Sequence, residues 1–263
     1  MDIRDKRVVL TGAAGGMGSI LAAELAKRGA KLALVDANAQ ALEKVAASIV
    51  DAHCVSGDLS SASECQRVAS QCSELLGGID LLINLAGVNS FAAFEDESAE
   101  KIELMMHVNL LAPMWLCRAF LPTMLDQSSA RIVNVGSIFG SIGFAYFTTY
   151  SATKFGLRGF SEALRRELAD SGVEVTYVAP RAVKTAMNSD AVNRMGEATG
   201  MNMDEPQMVV EKIIAAIESD RKDVYLGFPE SLFVRINAIL PRIVDGSVAA
   251  KNRIARQFAK GEK

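Results

Sequence analysis

Residues 7–18 read Arg7-Val8-Val9-Leu10-Thr11-Gly12-Ala13-Ala14-Gly15-Gly16-Met17-Gly18, and an amphipathic stretch through Ile20, Leu21 and Leu25 follows directly. The apolar run predicts a strand buried on both faces, the glycines a tight turn, and the spaced apolar residues a helix. That helix is expected to stop at Lys27-Arg28-Gly29, a basic last turn followed by glycine. Glycines at such a turn let backbone N–H groups approach a pyrophosphate at the positive end of the helix. The generic GxGxxG spacing does not fit, because Ala13 and Ala14 interrupt it, and a flexible turn would satisfy the loop taken alone. Its place between strand and helix favours a dinucleotide site.

Outward from this point, apolar runs alternate with amphipathic ones. Further strands are expected at 31–36, 53–55, 80–85, 131–136, 173–179 and 223–226, with helices at 39–49, 63–76, 97–125, 149–170 and 206–218. Continuous apolar strands separated by helices imply a parallel sheet covered on both faces. Right-handed crossovers then leave an α/β fold, a Rossmann-type doubly wound parallel sheet of about seven strands in a single domain. Residues 1–227 are assigned to that domain and 228–263 to a C-terminal extension.

The chain has 263 residues, half of them hydrophobic, and a formal net charge of −3. That hydrophobic content excludes a disordered chain, and the balanced charge leaves no footprint for nucleic acid. Cys54, Cys65, Cys72 and Cys117 form no CxxC pair, and only His53 and His107 could assist them, so neither a disulfide framework nor a metal site is expected. The opening residues mix acids and bases ahead of the first strand, so a cytoplasmic protein without a signal peptide is expected. Residues 132–153 carry no charge over a length that could cross a bilayer. Their glycine, serine and threonine content marks them instead as a buried strand and a polar loop lining a site.

Asp36 ends the second strand, 18 residues beyond Gly18. A carboxylate there can accept from an adenosine ribose and would repel a 2′-phosphate, and Ala37 offers that phosphate no cation. NAD is therefore expected over NADP, with an ordinary strand-end aspartate as the plain alternative. In Tyr150-Ser151-Ala152-Thr153-Lys154, tyrosine and lysine share one helix face. A nearby ammonium is expected to lower the phenol from about 10 toward working pH, making Tyr150 a general acid/base. Ser137, at the end of the strand before it, lies where open α/β sheets bind ligands and can donate to a carbonyl oxygen.

With these residues assembled, the chain resembles the short-chain dehydrogenase/reductase family from its start to about residue 227. The resemblance rests on the loop from Thr11 to Gly18 (Gly12, Gly15, Gly16, Met17, Gly18), the Asn-x-Ala-Gly turn of Asn84, Ala86 and Gly87, and Ser137, Tyr150 and Lys154 in order and spacing. It implies that Asp58 and Leu59 flank the adenine. It implies too that Asn109 holds a water relaying protons through Lys154, that Lys154 also meets the nicotinamide ribose, and that Pro180, Val183 and Thr185 belong to the cofactor site. A homodimer or homotetramer built through the helix following Tyr150 is likewise implied.

Three departures stand out. Leu85 replaces a second asparagine, which reads as a packing change. Arg181 follows Pro180 where the family has glycine, so it is expected either to bind an acidic substrate group or to point to solvent. From Arg235 to Lys263 the extension holds seven basic and two acidic residues beside an apolar stripe, suiting either packing or peripheral contact with an anionic membrane. The resemblance implies that the segment holding Met187, Met195, Met201, Met203 and Met208 forms a lid, and these thioethers with Phe139, Phe144, Tyr146 and Phe147 predict a pocket for a lipophilic secondary alcohol or ketone. Two other readings remain: an NADP-dependent 3-oxoacyl-type ketoreductase, and a non-catalytic nucleotide sensor on the same fold.

Overall fold

The computed structural model describes residues 1–260; Glu262 and Lys263, counted above in the charge of the extension, lie outside the described residues. Among the described residues seven strands form one sheet: β1 (Arg7–Thr11), β2 (Lys31–Asp36), β3 (His53–Ser56), β4 (Leu81–Asn84), β5 (Ala130–Val135), β6 (Val173–Ala179) and β7 (Asp223–Tyr225). They lie in the order β3-β2-β1-β4-β5-β6-β7, each pair parallel. The chain reverses direction across the sheet between β1 and β4, which opens a crevice at the carboxyl ends of those strands.

Successive residues of each strand face opposite layers. Val8 and Leu10 join one core with Leu21 and Leu25 of α1 (Gly16–Lys27), Leu42 of α2 (Ala39–Ala46) and Ile213 of α8 (Pro206–Glu218). Val9 joins the other with Val68 of α3 (Ala62–Leu76), Phe120 of α5 (Ala112–Leu125) and Leu164 of α6 (Thr148–Glu167). Both layers therefore exclude water from the sheet, as the continuous apolar strands require. The uncharged run at 132–153 forms β5, a turn and the start of α6.

The expected helix at 97–125 contains a change of winding. α4 (Ala99–Met106) passes through a π-wound turn, His107–Leu111, into α5. Pro113 has no N–H to give the Asn109 carbonyl four residues earlier, so the α-helical ladder cannot continue there. The segment Ala99–Leu125 is long and apolar enough to cross a membrane by length and composition. Here its Leu116, Phe120 and Met124 are buried in the core.

Two features were not expected. The lid region contains α7 (Asp190–Thr199), capped by the Ser189 hydroxyl and ended by Gly200 at positive φ. The extension is two helices, α9 (Glu230–Ile239) and α10 (Pro241–Ala259), broken before Pro241. Val234, Val244 and Ala255 of these helices are buried against Ile138, Ile142, Phe147, Val192 and Met195. Part of its apolar stripe thus packs on its own chain, while Leu232, Ile239, Leu240 and Ile243 remain exposed.

Candidate active site

Gly12 adopts φ +70°, and a Cβ there would come within 2.8 Å of the Ala86 backbone. A side chain on Gly18 would collide with the Gly12 carbonyl. Both contacts demand glycine: the first brings the β1 turn against the β4 turn, and the second folds the start of α1 onto the β1 turn. Thr11 Oγ1 secures that junction by accepting from the N–H groups of Leu85 and Ala86, each at 3.1 Å. No side chain caps the N-terminus of α1, so its backbone N–H groups remain free for an anion.

A cleft of about 390 Å³ runs from this turn, lined by the Gly12–Gly18 loop, Asp36, Asp58, Leu59, Ala86, Gly87 and Thr185. Asp36 accepts from Ala14 N at 2.9 Å and Asn38 N at 3.0 Å, which fixes its carboxylate on the cleft wall. Glycine cradle, open helix end and wall carboxylate fit a dinucleotide, whose pyrophosphate the loop would hold and whose adenosine Asp36, Asp58 and Leu59 would hold.

Asn84 does not reach the cleft. Its side chain is buried in the sheet, donating to Asn134 Oδ1 at 2.8 Å and to Cys117 Sγ at 3.6 Å. It joins β4 to β5, because a side chain alternating inward from a strand end meets the neighbouring strand first. Leu85 beside it packs in the core, as expected.

A second cavity opens beside the first. Ser137, Tyr150, Pro180 and Val183 line it, and Met17, Thr185 and Met187 line both. Ser137 caps the turn after β5, its Oγ accepting from Phe139 N at 3.1 Å. Lys154 is buried one helical turn beyond Tyr150, with Nζ 5.6 Å from the centre of the Tyr150 ring and donating to Val135 O at 3.1 Å. Asn109 is fully buried. Its amide exchanges two 2.8 Å hydrogen bonds with the Val88 backbone and donates to Thr153 Oγ1 at 3.2 Å. A Cβ on Gly87 would lie 3.2 Å from Asn109 Oδ1 and 3.8 Å from Lys154 Nζ. The bare glycine therefore lets the cleft wall pass close over Asn109 and Lys154, both of them buried.

The expected acidification of Tyr150 is not found. Burial pushes its phenol up to about 12, against a hydrogen bond with Ser137 that acts the other way. Burial also pulls Lys154 down to about 8. Desolvation exceeds the attraction between them because the ammonium is directed at a carbonyl rather than at the phenol oxygen.

A family description, short chain dehydrogenase, matches residues 6–196. The chain belongs to the short-chain dehydrogenase family. It is 33% identical over 251 residues to "Ketoacyl reductase HetN" of a Nostoc species, covering 91% of this chain and 87% of that one. A Burkholderia phymatum short-chain dehydrogenase/reductase crystallised with NAD superposes with TM-score 0.82 at 24% identity, covering 93% of this chain and 96% of that one. A Burkholderia cenocepacia short-chain dehydrogenase crystallised with NADP superposes with TM-score 0.81 at 25% identity, covering 94% and 99%. This protein is an NAD(P)-dependent dehydrogenase/reductase.

In this short-chain dehydrogenase Arg181 does not point to solvent: it lines the cavity of Tyr150 and a neighbouring one, held there by two carboxylates. Its guanidinium donates to Asp204 at 2.6 and 2.9 Å and to Glu230 at 3.0 Å. Both carboxylates come from segments distant in sequence, so nothing near Arg181 announces them. Of the lid methionines, Met187, Met195 and Met201 line cavities; Met208 sits exposed on α8, the helix that packs on α1. Three contributors were missed by sequence reasoning: Thr11 as a clamp, Val88 as the Asn109 partner, and Thr153. Thr153 Oγ1 links Asn109 to the Tyr150 carbonyl, to which it donates at 2.7 Å. Its place inside the Tyr-x-x-x-Lys turn was the available signal.

Proposed function

We propose that this dehydrogenase transfers hydride between NAD(H) and a lipophilic secondary alcohol or ketone, such as a steroid or a hydroxyacyl compound. The observation that carries this reading is a cavity lined by Ser137 and Tyr150, with Lys154 buried beside the Tyr150 ring, that shares Met17, Thr185 and Met187 with the cleft at the glycine turn. In the oxidative direction Ser137 holds the substrate oxygen and the Tyr150 oxygen takes the hydroxyl proton. Lys154 stabilises the phenolate, and Asn109 positions the path by which the proton leaves. The bound dinucleotide supplies the hydride acceptor. In the reductive direction the phenol donates its proton to the carbonyl oxygen.

The preference for NAD is supported by Asp36, held by two backbone N–H groups with Ala37 beside it. A second reading, reduction of a 3-oxoacyl compound with NADPH, is favoured by the likeness to the Nostoc ketoacyl reductase. The same proposal includes a cytoplasmic homo-oligomer assembled through α6. It also includes peripheral contact with anionic lipid at the corner between α9 and α10, where Ile239 is 78% and Ile243 57% exposed near Arg235 and Arg242.

Nicotinamide absorbance tests the reading, with NAD and NADP offered against hydrophobic and small polar alcohols. Tyr150→Phe is expected to bind NAD and lose roughly 10²–10⁴-fold in kcat. Normal turnover in that variant, or turnover of small polyols alone, refutes the assignment.

A further inference from the structure

A separate apolar cavity of about 240 Å³ lies behind the catalytic one, enclosed by the loop before α6, by α7 and by α10. We propose that it is the distal compartment of the substrate site and takes the unbranched aliphatic tail of the alcohol or ketone. The proposal rests on the lipophilic substrate proposed above and names its shape.

Position is the first argument. Phe139, Phe147 and Met201 line both this cavity and the one containing Tyr150. A single layer of side chains therefore divides them. The Phe139 and Phe147 ring centres lie only 6.1 and 6.4 Å from that of Tyr150. A substrate reaching Tyr150 therefore lies alongside this wall.

The lining is the second. Its far side is built by Val244, Val248 and Ala255 of α10, with Ser247 and Asn252 beside them and the paired Arg181 and Glu230 on the opposite edge, so that most of the lining is apolar. Lys251 also lines the cavity and is exposed, so the cavity reaches solvent there. Apolar walls leading to a charged mouth suit a hydrocarbon chain whose far end meets water.

The wall itself is the third. Met201 is an unbranched thioether able to change rotamer, whereas Phe139 is stacked on Phe144 with ring centres 4.2 Å apart. Swinging Met201 aside opens a passage for a methylene chain. Fused rings would require the stacked pair to separate.

The test uses the full chain with NAD and straight-chain 2-alcohols from butanol to dodecanol. kcat/KM is expected to rise about four-fold for each methylene buried and to level off when the chain reaches the mouth. Val248→Trp, which fills the cavity, should lower the ratio of long-chain to short-chain kcat/KM at least about ten-fold, while Val248→Ala should not. Calorimetric titration with 2-dodecanone gives a readout without turnover: its affinity should fall in Val248→Trp by a similar factor. A flat chain-length profile among alcohols that are oxidised, or a rise that survives Val248→Trp, overturns the compartment and leaves the proposed reaction standing. Turnover of sterols without straight chains overturns it too. Should no lipophilic alcohol be oxidised, the reaction itself is refuted, and equal 2-dodecanone affinity in wild type and Val248→Trp then overturns the compartment separately.

Discussion

Tyr150 and Lys154 sit one turn apart on α6, and burial opposes the charge on each. A lysine held at about 8 in the folded chain, against 10.5 without burial, destabilises the protein throughout the range below its folded value. The unfolded chain binds the extra proton between those two values, so the penalty fades as pH rises through them. Lys154→Met removes a buried ammonium while keeping the length of the side chain. Its Tm should exceed wild type at pH 7 by the equivalent of roughly 3 kcal/mol, and the gain should vanish toward about pH 10.5. Thermal melts across that range check the sign; a gain that grows with pH would contradict it. The same substitution should abolish turnover, because stability is given up here for catalysis. None of this was legible from the Tyr-x-x-x-Lys spacing, which places two side chains on one face but does not tell how much water reaches them.

At the scale of elements, legibility followed burial pattern. β1, β2 and β6 were readable to the residue because sheets covered on both faces require unbroken apolar runs. α7 was not, since it buries little more than Val192 and Met195 and so carries a narrow stripe. Its caps at Ser189 and Gly200 were the overlooked signal. The end of β2 sets cofactor choice in the proposed function: Asp36→Ala combined with Ala37→Arg is expected to lower the NAD/NADP ratio of kcat/KM by at least about ten-fold, and an unchanged ratio would show that Asp36 does not read the ribose. The partners of Arg181 were not legible because they lie 23 and 49 residues onward. It fastens the strand end after β6 to the lid through Asp204, which is 4% exposed, and to the start of α9 through Glu230. Arg181→Ala leaves the Asp204 carboxylate buried and unpaired. The expected cost is about 3–5 kcal/mol, with hydrogen exchange accelerating first at 182–204 and 228–239. A melting temperature within a degree of wild type would show that water replaces the guanidinium without loss.

For the whole molecule, the two layers of the sheet and the extension draw on different residues. The cores around α1 and α8 and around α3 and α5 contain no residue of α9 or α10. The extension instead covers Ile138, Ile142, Phe147, Val192 and Met195, all of them walls of the two cavities at and behind Tyr150. A chain ending at residue 227 should therefore keep its sheet and glycine turn, so NAD affinity measured by calorimetry stays within about three-fold of the full protein. It should also expose that apolar surface, seen as stronger binding of an apolar fluorescent dye and a lower Tm. Turnover of long-chain alcohols should fall much further than NAD affinity, because α10 supplies one wall of the distal compartment. If NAD binding were lost along with turnover, the extension would have to be counted as part of the folding unit. The division at residue 227 would then have no physical basis.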